Sequence, residues 1–122
     1  MEFEQHKPIY LQIADSICEK ILKGEWEEEE RIPSVREYGI RMQVNPNTVA
    51  RTYDGLSGEG IIYNKRGIGY FVCPGAKDII RNKQRKEFED NFAADFFRRM
   101  EILGITIEEV TVLHRKYTDN LK

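Results

Sequence analysis

A proline inside a stretch that otherwise reads as helical is the feature that most narrows the folds open to this chain. It sits in "VNPNTVART", Val44 to Thr52. In a helix interior Pro46 removes a hydrogen bond and clashes with the preceding turn, costing about 3 kcal/mol or more. At the first helical position its missing donor costs nothing, and Asn45 ahead of it is a favoured N-cap whose side-chain oxygen accepts from an orphaned N–H. Proline therefore starts a helix here, and Val49, Tyr53 and Leu56 carry an apolar stripe toward a stop near Gly60. Upstream, "IPSVREYGIRM" places Ser34 and Glu37 at capping-box spacing, which predicts a short helix from about Val35 to Met42. Two capped helices joined by a turn of about three residues make a helix-turn-helix.

The flanks extend that pattern. In "PIYLQIADSICEKILKG" the residues Ile9, Ile13, Ile17 and Ile21 recur at helical spacing, and Gly24 supplies the stop. After the recognition segment, "IIYNKRGIGYFVC" carries two β-rich runs, Ile61 to Tyr63 and Tyr70 to Cys73, joined by Lys-Arg-Gly-Ile-Gly, and Pro74-Gly75 ends the hairpin. From Ala76 a helix of about 28 residues, about 42 Å long, is expected, with Phe88, Phe92, Phe96 and Met100 on one stripe and Ile79 and Leu103 roughly in line. Gly104 breaks it, and the capping box "TIEE" opens a last helix with Ile107, Val110, Leu113 and Tyr117 inward. The expected fold is mainly α with a small β-hairpin: a winged helix-turn-helix over residues 1–75, then a two-helix element over 76–122.

Composition excludes several classes. With 40% hydrophobic and 33% charged residues, the 122-residue chain can bury one core and is not disordered. No run of about 18 apolar residues exists, and "MEFEQHKPIY" lacks the layout of a signal peptide, so a cytoplasmic protein without a membrane partner is expected. Cys18, Cys73, His6 and His114 are scattered, so no metal site and no catalytic cluster can be assembled; neither enzyme activity nor a cofactor is expected. The net charge of −2 hides an uneven distribution. Lys and Arg against Asp and Glu number 4 to 9 over residues 1–32, 5 to 3 over 33–75 and 10 to 9 over 76–122. The acid excess is concentrated in "EWEEEER", which has to point away from any polyanion.

Taken in order, "PIYLQIADSICEKILKGEW", "PSVRE", "VNPNTVART" and "EGIIYNKRGIGYFV" resemble the DNA-binding domain of GntR-family bacterial transcriptional regulators, over about residues 7–73. The short helical tail is similar to that of the YtrA subfamily, whose members dimerise through two C-terminal helices. The resemblance implies a homodimer on a pseudo-palindromic double-stranded DNA operator, a repressor role, and often a neighbouring operon encoding an ABC-type transporter. It places DNA contacts on Arg36, on Asn45, Asn47 and Thr48, and on Arg66 with Gly67. The residues themselves add Arg51 on the third helix and Lys65 at the wing tip as cations for bases or phosphates. Asn45 stays open between cap and base reader, and the "RNKQRK" run, Arg81 to Lys86, between a solvated face and a second DNA site. Many relatives carry Arg where this chain has Pro46 and Ala50, and Gly where it has Glu29 and Gln43.

The tail carries the second functional signal. A winged domain is closed by the first 75 residues, so the stripe of Phe88, Phe92, Phe96 and Met100, widened by Phe97, needs another surface. Together with Val110, Leu113 and Tyr117 it marks the expected homodimer interface. A small-molecule effector is compatible with this layout, without a legible pocket. The competing reading is a winged-helix module that binds another protein and no specific DNA.

Overall fold

The computed structural model describes residues 7–121, so His6 lies outside the described residues. Helix α1 spans Ile9–Leu22, α2 Val35–Met42 and α3 Pro46–Gly58, followed by strands β1, Ile62–Lys65, and β2, Gly69–Val72. Helix α4, Ala76–Glu87, leads through a π turn, Phe88–Phe92, into α5, Ala93–Leu103, and α6 is Ile107–Asn120. The chain divides into two compact units, one ending at Lys83 and the other running Gln84–Lys122. Among the described residues no helix is long and apolar enough to cross a membrane.

In the first unit the α1 stripe packs on α3. Ile13, Ile17 and Ile21 meet Tyr38 of α2, Val49, Tyr53 and Leu56 of α3, and Ile61, Ile62 and Val72 of the wing in one buried cluster, which Trp26, Ile32, Ala76 and Ile80 complete. Each fully buried aliphatic or aromatic side chain contributes about 1.5–3 kcal/mol, so the helix-turn-helix is held chiefly by this shared interior. Cys18 is part of it and Cys73 lies half-buried at its margin, both as free thiols; burial pushes the Cys73 thiol above its usual pKa.

The wing is an antiparallel ladder with Tyr63 opposite Phe71 and Lys65 opposite Gly69. Lys65 and Gly69, placed in the connecting loop by the sequence pattern, are instead the last paired residues, which leaves Arg66, Gly67 and Ile68 as the tip. A tight turn, with the Ile68 N–H donating to the Lys65 carbonyl at 2.9 Å, allows this extra pairing. The acidic segment pairs along the other edge of β2. Glu29 N–H donates to Val72, Val72 N–H to Glu30, and Ile32 N–H to Tyr70. This register sets Glu28 beside Gly75, at the end of β2 remote from the tip, and brings Arg31 opposite Phe71. At Gly69, with φ +144°, an added Cβ lies 3.0 Å from Arg31 Nε, so the missing side chain makes room for the arginine.

The turn between α2 and α3 is strained. Glu29 and Gln43 are the two non-glycine residues with positive φ among the described residues, at 70° and 59°. Gln43 is the left-handed C-cap of α2, its N–H donating to the carbonyls of Gly39 and Ile40. At Gly39 a Cβ has Val44 O at 3.0 Å and Pro46 Cα at 3.5 Å, so α2 and the start of α3 meet backbone to backbone.

In the second unit Met100 is buried, while Ile105 and Val110 are half-buried. Phe88 is stacked on Phe92 at 5.3 Å within the π turn. A four-residue apolar spacing drifts about 40° per step around an α-helix, and the wider π turn returns the stripe toward line. The expectation that α6 turns Ile107, Leu113 and Tyr117 inward does not hold within one chain, since they are 59%, 58% and 63% exposed. A two-helix element has too little facing surface to cover both apolar stripes.

The strain at Gln43 generates a test. A left-handed non-glycine residue costs about 1–2 kcal/mol, partly offset by glycine's greater unfolded-state freedom. Gln43→Gly is therefore expected to stabilise the fold by about 0.5–1 kcal/mol and raise the melting temperature by about 4 °C. Gly39→Ala is expected to lower it; thermal unfolding followed by circular dichroism measures both.

Candidate nucleic-acid interface

The start of α3 is assembled from local chemistry. Asn47 N–H donates to Asn45 Oδ1 at 2.8 Å, and Pro46 occupies the first helical position. The Asn45 side-chain oxygen thus serves as a cap, while Asn45, Pro46 and Asn47 are exposed and Thr48 is half-buried. Four residues beyond Asn47, Arg51 lies on the same side of the helix, its guanidinium carbon 3.9 Å from the centre of the Tyr10 ring.

Helix α2 delivers Arg36. Ser34 Oγ accepts from Glu37 N–H at 3.0 Å and Glu37 Oε1 accepts from Ser34 N–H at 3.3 Å, the reciprocal cap the sequence predicted. Hydrogen bonding to the carboxylate from the Ser34 side chain, and then from the Ser34 backbone N–H, holds the Glu37 carboxyl below the usual carboxylate range. Arg36, in the first turn so fixed, is exposed.

The wing supplies the remaining cations. Lys65, Arg66 and Gly67 are all exposed. Lys65 Nζ lies 5.6 Å from the centre of the Phe71 ring, and that ring stacks on Tyr63 at 5.7 Å, so Lys65 is steered by the hairpin's aromatic face. Gly67 has φ +80°, a left-handed turn position that suits glycine.

Tyr53 fixes the helix relative to the wing. Its hydroxyl donates to the Pro33 carbonyl at 2.7 Å, and its ring meets Tyr70 edge-on at 4.9 Å. Burial pushes the Tyr53 and Tyr38 hydroxyl pKa values upward. The sequence assigned Tyr53 only to an apolar stripe and Tyr70 only to hairpin packing. Neither Tyr10 nor Arg31 was anticipated at this face. Their partners, Arg51 and Gly69, lie far off in sequence, where no local spacing reveals them.

The basic run after the wing is largely neutralised. Arg81 pairs with Asp78 at 3.2 Å, Lys83 with Glu59 at 2.6 Å and Lys86 with Asp90 at 2.9 Å. Among the described residues, no group of three or more His, Cys, Asp or Glu is placed to hold a metal ion.

The model of the bacterial regulatory proteins of the gntR family matches residues 9–72, from the first residue of α1 to the last of β2. The chain belongs to the GntR family. This GntR protein is 37% identical over 120 residues to the uncharacterized HTH-type transcriptional regulator YhcF of Bacillus subtilis, covering 97% of this chain and 96% of that one. The HTH-type transcriptional repressor YtrA of the same organism is 43% identical over 73 residues, 60% of this chain and 56% of that protein. The crystal structure of a putative GntR-family transcriptional regulator from Bacteroides thetaiotaomicron superposes with a TM-score of 0.78 at 46% identity, covering 94% of this chain and 100% of that one. The similar proteins are named as transcriptional regulators, not enzymes, and this GntR protein is a DNA-binding regulator of the same kind.

The capping box at Arg36 can be probed directly. Ser34→Ala is expected to cost about 1 kcal/mol in denaturant unfolding at neutral pH, the usual worth of a lost N-cap. Because the folded-state pKa of Glu37 is depressed, its stabilising effect is present above the unfolded carboxylate pKa and is lost as pH falls through the folded value. The gap between wild type and Ser34→Ala should therefore shrink on acidification.

Proposed function

We propose that this GntR protein represses transcription by occupying a pseudo-palindromic operator as a homodimer. Each protomer lays the N-terminal half of α3 in the major groove and the Arg66–Ile68 wing tip alongside. The observation that carries this reading is that Asn45, Asn47 and the basic wing tip are exposed on one body whose helix and wing are fastened through Tyr53. Short amide and hydroxyl side chains at a helix start suit base edges, whereas exposed Arg and Lys suit phosphates. Pro46 and Ala50, where many relatives have Arg, leave base reading to Asn47 and Thr48. Arg36 and Arg66 contribute backbone contacts.

The homodimer is supported by the second unit. Phe88, Phe92 and Phe97 are 56%, 62% and 56% exposed, and Phe96, Leu113 and Tyr117 add further apolar surface. Met100, also expected at the seam, is buried in its own chain, and Val110 is half-buried. Exposed apolar side chains of this kind, repeated in a second copy, suit a self-complementary seam under two-fold symmetry. Two symmetric protomers then match two operator half-sites. The repressor name of the related YtrA supports repression here, and resemblance to its subfamily supports a target operon encoding an ABC-type transporter. Mapping DNA fragments bound from genomic DNA tests that assignment.

Two outcomes are expected. Arg36→Ala and Arg66→Ala each weaken binding to a selected operator and lower the slope of log affinity against log salt by about 0.9 for each phosphate no longer neutralised. Unchanged affinity and slope refute those contacts, and binding that salt does not affect favours a protein partner. Phe92→Asp yields a monomer in sedimentation and weak operator binding; a variant that stays dimeric rules out this seam.

A further inference from the structure

Arg51, the one cation on α3, is exposed, yet its side chain is drawn against a ring of the neighbouring helix. Its guanidinium carbon lies 3.9 Å from the centre of the Tyr10 ring, closer than Lys65 comes to Phe71. Tyr10 is itself anchored. Thr52, 1% exposed, donates its hydroxyl to the Tyr10 carbonyl at 2.8 Å, with the Thr48 carbonyl as alternative acceptor at 3.1 Å. The first turn of α1 is thereby tied to α3, and Ile9, Tyr10, Asn47, Thr48 and Arg51 line an open cleft between the two helices. The ion pairs formed among the described residues take up Arg81, Arg98 and Arg99 but not Arg51.

The chemistry of that contact separates two roles. An arginine that reads guanine extends its planar fork to O6 and N7 on the groove floor. Here the guanidinium is drawn toward a ring on α1 and lies beside the helix. Stacking engages the π face and leaves the in-plane N–H donors open, the geometry that grips a phosphate in a forked pair. Among the described residues the cleft is lined by apolar, aromatic and polar groups without a carboxylate.

We propose that Tyr10 is a positioning residue that holds Arg51 off the base edges and presents it to the DNA backbone, so that the α1–α3 cleft is a phosphate-binding edge. This assignment rests on α3 entering the major groove, as proposed above. Arg51 then sets affinity and register without carrying sequence information, and the Tyr10 ring acts only through Arg51.

The test uses full-length wild type, Arg51→Ala, Tyr10→Leu, Tyr10→Phe and the Tyr10→Leu/Arg51→Ala pair. The probes are a duplex selected by the wild type from random sequence and a scrambled duplex of equal length, each titrated over a salt series. Arg51→Ala should weaken both duplexes by the same factor, about tenfold, leave their ratio unchanged and reduce the salt slope by about 0.9 per protomer. Tyr10→Leu should weaken both about threefold, Tyr10→Phe should match wild type because the ring remains, and the pair should equal Arg51→Ala alone. Weakening confined to the selected duplex, a Tyr10→Phe defect as large as that of Tyr10→Leu, or additive effects in the pair would each overturn the proposal. Thermal unfolding of every variant separates a folding defect from a binding defect. Arg66→Ala is the control for the parent reading: a lowered slope there with none for Arg51→Ala rejects the Arg51 role alone, while no preference of wild type for any duplex rejects both.

Discussion

Tyr53 donates its hydroxyl to the Pro33 carbonyl at 2.7 Å while its ring packs near Tyr38, centre to centre 6.4 Å, and against Tyr70 at 4.9 Å. One side chain on α3 thereby joins the loop that opens α2, the α2 helix and the second strand of the wing. With Trp26 edge-on to Tyr38 at 5.6 Å, four aromatic rings run through the interior of the DNA-binding unit. A recognition helix can present short side chains to a groove only if its axis is fixed, because Asn47 and Thr48 have little reach of their own. Losing the hydroxyl would leave the Pro33 carbonyl without that donor; losing the ring would cost a core aromatic, typically about 3–5 kcal/mol.

The turn before α3 shows a local cost carried by the rest of the fold. Gln43 adopts a left-handed conformation that glycine accepts without penalty, and Gly39 gives up its side chain so that the Val44 carbonyl can approach. The buried cluster around Val49 and Tyr53 supplies the free energy that keeps this turn closed. The closed turn in turn exposes Asn45 and Asn47 at the helix start. Backbone strain and groove-facing geometry are therefore two sides of one arrangement.

Much of the architecture was legible in the chain. Ser34 with Glu37, Asn45 with Pro46, and Thr106 with Glu109 announced three helix starts; the first two caps form as the spacing predicts, while at Thr106 the hydroxyl accepts from Glu109 N–H without the reciprocal half of the expected box. The positions flagged as missing a turn glycine, Glu29 and Gln43, are the non-glycine residues with positive φ among the described residues. The π turn at Phe88–Phe92 was not legible, because a four-residue apolar spacing is compatible with either winding. Nor was the outward turn of Leu113 and Tyr117, since periodicity says which residues share a face and not whether their own chain covers it.

Sequence alone determined where helices begin, which residues share an apolar face, and that cations gather at the wing tip, because capping and periodicity act within a few residues. Only tertiary structure decided which face each cation meets. Tyr10 reaches Arg51, Arg31 fills the space that Gly69 leaves, and the acidic segment pairs along β2 with the Glu28 carboxylate at the end remote from the tip. Those contacts join residues far apart along the chain, and they exist only once the shared core has brought α1, α3 and the wing together.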